Sequence, residues 1–181
     1  TIIVALLVAA IGFWLFVRRQ RGMEQPLLEF SIFGNPAFTA GVLAASFAMF
    51  AIGGIQLVTT QRFQQVAGFS PLEAGLLVAA IAVGTLPTAL LGGAFLHRTG
   101  LLALITGGLA FATGGVVVTV IGFQSSFGVL ILGLLLTGAG IGAALAVAST
   151  AIIGNVPVRR AGMAASIEEV SYEFGSLIAV S

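Results

Sequence analysis

Residues 127–153 read FGVLILGLLLTGAGIGAALAVASTAII, about 27 residues without a single charge. About 20 predominantly apolar residues are enough for an α-helix to cross the hydrocarbon layer of a bilayer. The stretch therefore predicts a membrane-spanning helix. Within it, Gly138 and Gly142 form a GxxxG pair with Ala146 on the same face, a spacing typical of helices that pack closely in lipid.

Five further apolar segments accompany this one, at residues 1–17, 37–60, 71–96, 101–123 and 163–181. The chain of residues 1–181 is 59% hydrophobic and only 7% charged, whereas a soluble domain carries roughly 25% charged residues. Lipid is therefore the predicted solvent, and we predict an all-α, polytopic transmembrane helix bundle. Four glycines favour close packing of the 101–123 segment as well, namely Gly107, Gly108, Gly114 and Gly115.

The composition argues against several classes of function. Cysteine is absent and there is one histidine, so we expect no disulfide, no metal site and no cofactor. A net charge of +1 does not indicate a nucleic-acid partner, and no nucleophile–base pair indicates an enzyme. The chain begins with Thr1 inside one apolar run and stops at Ser181 inside another, so we interpret it as a fragment of a larger membrane protein.

Arginines divide the loops between the two sides of the membrane. The loops after the first, third and fifth segments carry six of them, and the opposite loops carry Arg62 alone; the six are Arg18, Arg19, Arg21, Arg98, Arg159 and Arg160. Cytoplasmic loops carry an excess of basic residues. We therefore predict a multi-pass protein of the plasma (cytoplasmic) membrane with loops 18–36, 97–100 and 154–162 in the cytoplasm.

Three local signals refine this topology. Residues 26–33 mix apolar and polar side chains as a short interfacial helix does. Ser70 and Glu73 have the spacing of a capping box, which predicts that a helix begins between them. Pro87 lies about 16 residues into its segment and predicts a kink, which we interpret as a hinge.

Half of the six acidic residues lie in the last segment, at Glu168, Glu169 and Glu173. Glu169 follows Arg159 by about ten residues, or roughly 15 Å of helix, which is about half of a hydrocarbon layer. Ionisable side chains at such depth face a protein interior or a watery cavity and indicate a transport site. In a helix, Glu169 and Glu173 share a face near Tyr172, and Glu168 is turned about 100° away.

A second interpretation of the same run stays open. Ser166 and Glu169 also have capping-box spacing, so the helix has a candidate start at Ser166. Glu168 and Glu169 are then first-turn residues near the lipid headgroups, stabilised by the positive end of the helix dipole.

Several stretches resemble one branch of a known family. QQVAGFSPLEAGL at 64–76, PLLE at 26–29 with Phe33 and Phe38, and VPVRRAGMAASIEEVSYEFG at 156–175 are similar to loops and a helix of fourteen-helix drug:proton antiporters. These are the EmrB/QacA type of the major facilitator superfamily. The resemblance implies that the chain covers roughly spans 8 to 13, in the C-terminal half of two six-helix bundles with two extra helices.

The resemblance also implies a gating motif at 93–100, which reads GAFLHRTG and includes Gly93, Arg98 and Gly100. His97 stands where the motif has an aspartate, and Leu101 stands where it has a final arginine. The gating role usually assigned to the motif is therefore in question for this copy.

The acidic segment suits exchange of a drug for a proton. Burial favours the neutral form of a carboxyl group, and a second carboxyl nearby favours it further, so the site holds a proton until a cation or water displaces it. We expect Glu169, Glu173, Glu168 and Tyr172 to form the proton and substrate site, because an aromatic ring also attracts cations. The adaptable, apolar wall of the substrate cavity is expected from the second segment, at Phe47, Met49, Phe50 and Gln56.

The leading hypothesis is a proton-coupled exporter of lipophilic, mostly cationic drugs, with small molecules, protons and the bilayer as its partners. One alternative is a transporter of a neutral or anionic metabolite such as a siderophore or lipid-like solute. Another is a membrane scaffold subunit that transports nothing. The oligomeric state is open, with a monomer as the expectation.

Overall fold

The computed structural model describes residues 2–20 and 30–181, and these residues contain helices and no strand. Six α-helices follow one another: α1 Ile2–Gln20, α2 Pro36–Gln65, α3 Pro71–Thr99, α4 Leu101–Gly122, α5 Phe127–Ile153 and α6 Ala161–Val180. Short 3₁₀ turns precede α2 at Phe30–Gly34 and α6 at Val158–Arg160. The all-α prediction is confirmed. Of the predicted interfacial helix at 26–33, residues 26–29 lie outside the described residues and residues 30–33 belong to the 3₁₀ turn.

The helix α1 and the 3₁₀ turn at Phe30–Gly34 belong to one compact unit. Within α1, the guanidinium of Arg18 lies 5.4 Å from the centre of the Trp14 ring, a distance at which a cation is attracted to an aromatic face. Arg18 and Arg19 occupy the last turn, where positive charge is favoured by the helix dipole.

The remaining helices, from Asn35 to Ser181, form the second unit. The starts of α2, α3 and α5 are set by side chains that accept hydrogen bonds from the free N–H groups of the first turn. Ser70 accepts a hydrogen bond from the backbone N–H of Glu73, and the Glu73 carboxylate accepts one from the backbone N–H of Ser70. The capping box predicted from the sequence is therefore confirmed.

Asn35 caps α2 in a similar way, and its side-chain oxygen accepts hydrogen bonds from Ala37 N–H at 3.0 Å and Phe38 N–H at 3.4 Å. We expect Asn35→Ala to lower the free energy of unfolding by about 1 kcal/mol, because two N–H groups lose their acceptor. Thermal unfolding of the detergent-solubilised protein measures the change. Asn35→Ser restores an acceptor and serves as the control; equal melting temperatures for the alanine and serine variants would contradict the capping role.

The central helix is α5, which packs against α2, α3 and α4. Two sets of small residues allow these contacts. On one side, a Cβ added to Gly138 would overlap the carbonyl oxygen of Ile81 in α3. On another side, a Cβ added to Gly140 would lie 2.6 Å from the carbonyl oxygen of Gly108 in α4. The packing interpretation of the GxxxG pair is therefore confirmed, and the backbones of three helices are in contact.

The glycines of α4 divide into two kinds. Gly108 and Gly115 meet α5 backbone, as predicted, and added Cβ atoms there would lie closer than ordinary contact. Gly107 and Gly114 have no neighbouring heavy atom within 4 Å of an added Cβ. The packing prediction was wrong for these two, because the contact with α5 covers only one side of the helix.

Within residues 2–20 and 30–181, four helices are long and apolar enough to cross a membrane: α2, α3 as far as Ala94, α4 and α5. Large apolar residues lie exposed along these helices; Leu86 is 69% exposed and Leu90 is 74% exposed. Water would not favour such a surface, but hydrocarbon does. The molecule is a multi-pass membrane protein.

Candidate functional site

The acidic helix α6 packs lengthwise against α2. A Cβ added to Gly175 would overlap the carbonyl oxygen of Ser46, and one added to Gly53 would lie 3.1 Å from the Cβ of Ala179. Because the contacts advance in the same direction along both helices, α2 and α6 run parallel. Glycine at each contact brings the backbones together, which fixes the rotation of α6 about its axis.

A buried stripe of α6 runs through Ala164, Glu168, Ser171 and Gly175. Its spacing of four, three and four residues is that of a helix seam that faces a partner helix. Glu168 is 8% exposed. The phenol of Tyr172, one turn later, donates a hydrogen bond of 2.5 Å to its Oε1. A buried carboxyl group is thus held in place by a donor on its own helix.

Glu169 and Glu173 share a side of α6, as their spacing predicts, and both side chains are exposed on this chain instead of buried within it. The side chains around them are apolar, with Val170 67% exposed and Phe174 60% exposed. An ionisable side chain that faces lipid at this depth is costly, so such residues face protein or a watery cavity. The structure therefore separates the three acids: Glu168 is buried against this chain, and the other two project from it.

The alternative helix start at Ser166 is wrong. The helix α6 begins at Ala161, directly after a 3₁₀ turn at Val158–Arg160. The hydroxyl of Ser166 donates a hydrogen bond of 2.9 Å to the carbonyl of Gly162, so it bonds backwards within the helix. Glu168 and Glu169 consequently lie in later turns, about 10–12 Å along the axis from the start of the helix.

The residues expected to form the cavity wall lie on different sides of α2. Phe47 and Phe50 are 60% and 45% exposed and lie on one side of the helix. The backbone N of Phe50 would lie 3.1 Å from a Cβ at Gly175, so Phe50 adjoins α6. Met49 is half-buried, and Gln56 is exposed but lies about 120° around the helix from Phe50. Phe47 and Phe50 therefore share one side of α2, and Met49 and Gln56, seven residues apart, share another.

The predicted gating and hinge residues lie in α3 and at its end. The φ angle of Gly100 is +81°, which suits glycine at the tight connection to α4. Gly93 lies exposed in the last turns, and the side chains of His97 and Arg98 are outside the described part of the chain. The helix continues through Pro87, and Thr88 donates hydrogen bonds to the carbonyls of Gly84 and Thr85 in the preceding turn.

Sequence reasoning missed two arrangements. The Glu168–Tyr172 hydrogen bond joins residues one helical turn apart, so the spacing alone was a usable signal. A groove between α3 and α5, lined in part by Glu73, brings together residues more than 40 positions apart. No local pattern indicates it.

Comparison with known proteins places these observations in context. The family described as Major Facilitator Superfamily matches residues 1–180. Over 176 residues, or 97% of this chain, the chain is 30% identical to "Multidrug resistance protein Stp" of Mycobacterium tuberculosis, and the match covers 33% of that protein. It is 29% identical over 97% of its length to "Methyl viologen resistance protein SmvA" of Salmonella typhimurium, covering 36% of that relative. "Quinolone resistance protein NorB" of Staphylococcus aureus is 28% identical over 98% of the chain, which covers 39% of it. The chain therefore spans about a third of the length of these curated relatives.

Proposed function

Because the chain belongs to the major facilitator superfamily, we propose that the protein exports small lipophilic, mostly cationic compounds in exchange for protons. The relatives carry names that refer to multidrug, methyl viologen and quinolone resistance. The observation that carries the proposal is the placement of three acids on α6, with one buried and two projecting from an apolar side.

The projecting pair, Glu169 and Glu173, is the proposed point of competition between proton and cargo. The two positions are one turn apart on one side of α6. A carboxyl group carries either a proton or, as a carboxylate, the counter-charge of a cation, so a cation that arrives at this pair takes the place of a proton, which couples the two fluxes.

Glu168 has a different proposed role. Its carboxyl group lies in the seam with α2, within about 10 Å of the close contact at Gly175 by helical rise. Tyr172 donates a hydrogen bond to it. A change in its protonation alters the charge buried between the two helices, so we assign Glu168 to transmitting the proton's arrival to the packing of α2 against α6.

The surrounding aromatic residues suit a lipophilic cation. Phe47, Phe50 and Phe174 are exposed on α2 and α6, and an aromatic ring attracts a desolvated cation by ~2 kcal/mol. The described arginines lie at helix ends or in turns, as Arg62 and Arg159 do. A cavity for anions requires positive charge within the spans, so this arrangement favours cations over the anionic alternative.

Transport by the full-length protein in proteoliposomes tests the proposal. With an imposed proton gradient, we expect ethidium to move against the direction of proton flow and to collapse the gradient as it moves. A lipophilic anion and a neutral dye are the matched probes and are expected to show no coupling. Coupled transport of the anion in place of ethidium would favour the metabolite alternative, and no transport of any probe would favour the scaffold alternative.

A further inference from the structure

A groove of about 540 Å³ runs between α3 and α5, near the end of the helices where Ser70 begins α3. Its walls include Phe69, Leu76 and Val83 on one side and Phe127 and Ile131 on the other. A volume of this size suits a drug-sized molecule, and such sites combine apolar walls with few polar groups. The arginine distribution of the sequence predicts that this end of the helices faces away from the cytoplasm.

One charged side chain lines this groove among the residues that the structure describes, and it is Glu73. Both hydrogen bonds donated by Ser70, from its backbone N–H and from its hydroxyl, are 2.8 Å long and go to Oε2. These bonds favour the ionised form of the carboxyl group. Because Glu73 is exposed, its carboxylate is accessible to a ligand in the groove.

Two aromatic rings stand beside the carboxylate. The centres of the Phe69 and Phe127 rings are 6.4 Å apart, and both side chains line the groove. Phe63 packs against both rings, at 4.9 Å from Phe69 and 6.1 Å from Phe127, which holds them in place. Fixed aromatic faces attract cations and also provide apolar contact.

We propose that the groove between α3 and α5 binds a lipophilic monovalent cation, with Glu73 as its counter-charge and Phe69 and Phe127 as its aromatic walls. The proposal rests on the proposed export of cations and adds a second site on the opposite side of the membrane from the start of α6. A lone carboxylate on an otherwise apolar surface is complementary to one delocalised positive charge and an apolar body. A neutral acyl chain gains nothing from that charge.

The groove has a proposed role in the release of the transported cation. A cation released from the α6 acids reaches the non-cytoplasmic end of the bundle while it is still poorly soluble in water. The groove offers it an apolar surface and a counter-charge at that end. It therefore acts as an exit-side site, distinct from the place where proton and cargo compete.

Photolabelling with the azide derivative of ethidium tests the proposal in the full-length protein in membranes. We expect labelled peptides from residues 69–83 and 127–135, and Glu73→Gln is expected to lower their labelling about tenfold. Glutamine at this position still completes a capping box, so the fold is retained. The matched control is Leu72→Gln, which changes an exposed neighbour that does not line the groove, and its labelling is expected to equal that of the wild type.

Two further measurements separate this site from the proposed export mechanism. Glu169→Gln is expected to retain groove labelling even if it abolishes export, so failure of the α6 mechanism leaves the groove proposal standing. A neutral aryl azide is expected to label the groove without responding to Glu73→Gln. The proposal is overturned if the cation does not label these peptides, if labelling is equal in Glu73→Gln and Leu72→Gln, or if the neutral azide shows the same loss.

Discussion

We expect the proposed proton-driven export of ethidium to fall about tenfold or more when Glu169 or Glu173 is replaced by glutamine in the full-length protein, a loss of at least about 1.4 kcal/mol. Both side chains project from an apolar side of α6. An amide has the shape of a protonated carboxyl group but cannot release a proton, so the cargo loses its competitor. Transport in proteoliposomes under an imposed proton gradient measures the effect.

The control for this pair is Ser166→Ala, which changes an exposed side chain one turn earlier on the same helix. Its hydroxyl donates a hydrogen bond within the helix, to the carbonyl of Gly162, so export is expected to be unchanged. Undiminished, proton-coupled export in both glutamine variants would refute the assignment of these two acids. The assignment would also be refuted if the glutamine variants and Ser166→Ala lost the same fraction of export activity.

Glu168 and Tyr172, which are joined by a hydrogen bond, are expected to respond differently to substitution. Glu168→Gln keeps an oxygen that accepts the hydrogen bond from Tyr172, so we expect weaker coupling with little change in stability. Tyr172→Phe removes the donor and leaves a buried carboxyl group unsatisfied, at a cost of about 1–3 kcal/mol in the free energy of unfolding. Equal melting temperatures for the two variants would argue against a structural role for the Tyr172 phenol.

We expect replacing Gly138 by alanine to lower the free energy of unfolding by about 1–3 kcal/mol. The added Cβ would overlap the carbonyl oxygen of Ile81. That oxygen belongs to the backbone of α3 and cannot rotate away as a side chain does, so the two helices must separate. The hydrogen bond of 3.1 Å from Thr85 to the carbonyl of Gly138 then lengthens as well.

Gly107 provides the matched control because it receives the same methyl group in open space, with nothing within 4 Å. There, Gly107→Ala improves helix propensity, and we expect it to leave stability unchanged or to raise it by up to about 1 kcal/mol. Thermal unfolding in detergent compares the two variants directly. If both shift the melting temperature equally, close backbone packing is not what requires glycine at position 138.

The local features of this protein followed from the sequence. The helical class, the capping box at Ser70 and the family resemblance depend on composition, on the length of apolar runs and on short spacings. These properties are fixed by residues near one another in the chain, such as Ser70 and Glu73. These features do not depend on which other helix packs nearby, so they could be predicted from the sequence.

The side of each helix that is buried was decided by the tertiary structure. In water, the buried side of a helix is marked by its hydrophobic stripe, but in lipid the exposed side is apolar as well. Nothing in the residue pattern therefore distinguished Gly108, which touches α5, from Gly107, which touches nothing within 4 Å.

Tertiary packing also decides which acids of α6 are buried and which are exposed. Their spacing places Glu169 and Glu173 together, but only the contact of Gly175 with Ser46 turns Glu168 into the seam and the other two away from it. The groove beside Glu73 likewise exists only where α3 lies against α5. The sequence alone determined that this chain is a bundle of apolar helices with acids in the last one. The backbone contacts at glycine decided where each of these acids points, because they set the rotation of helices α2 to α6 about their axes.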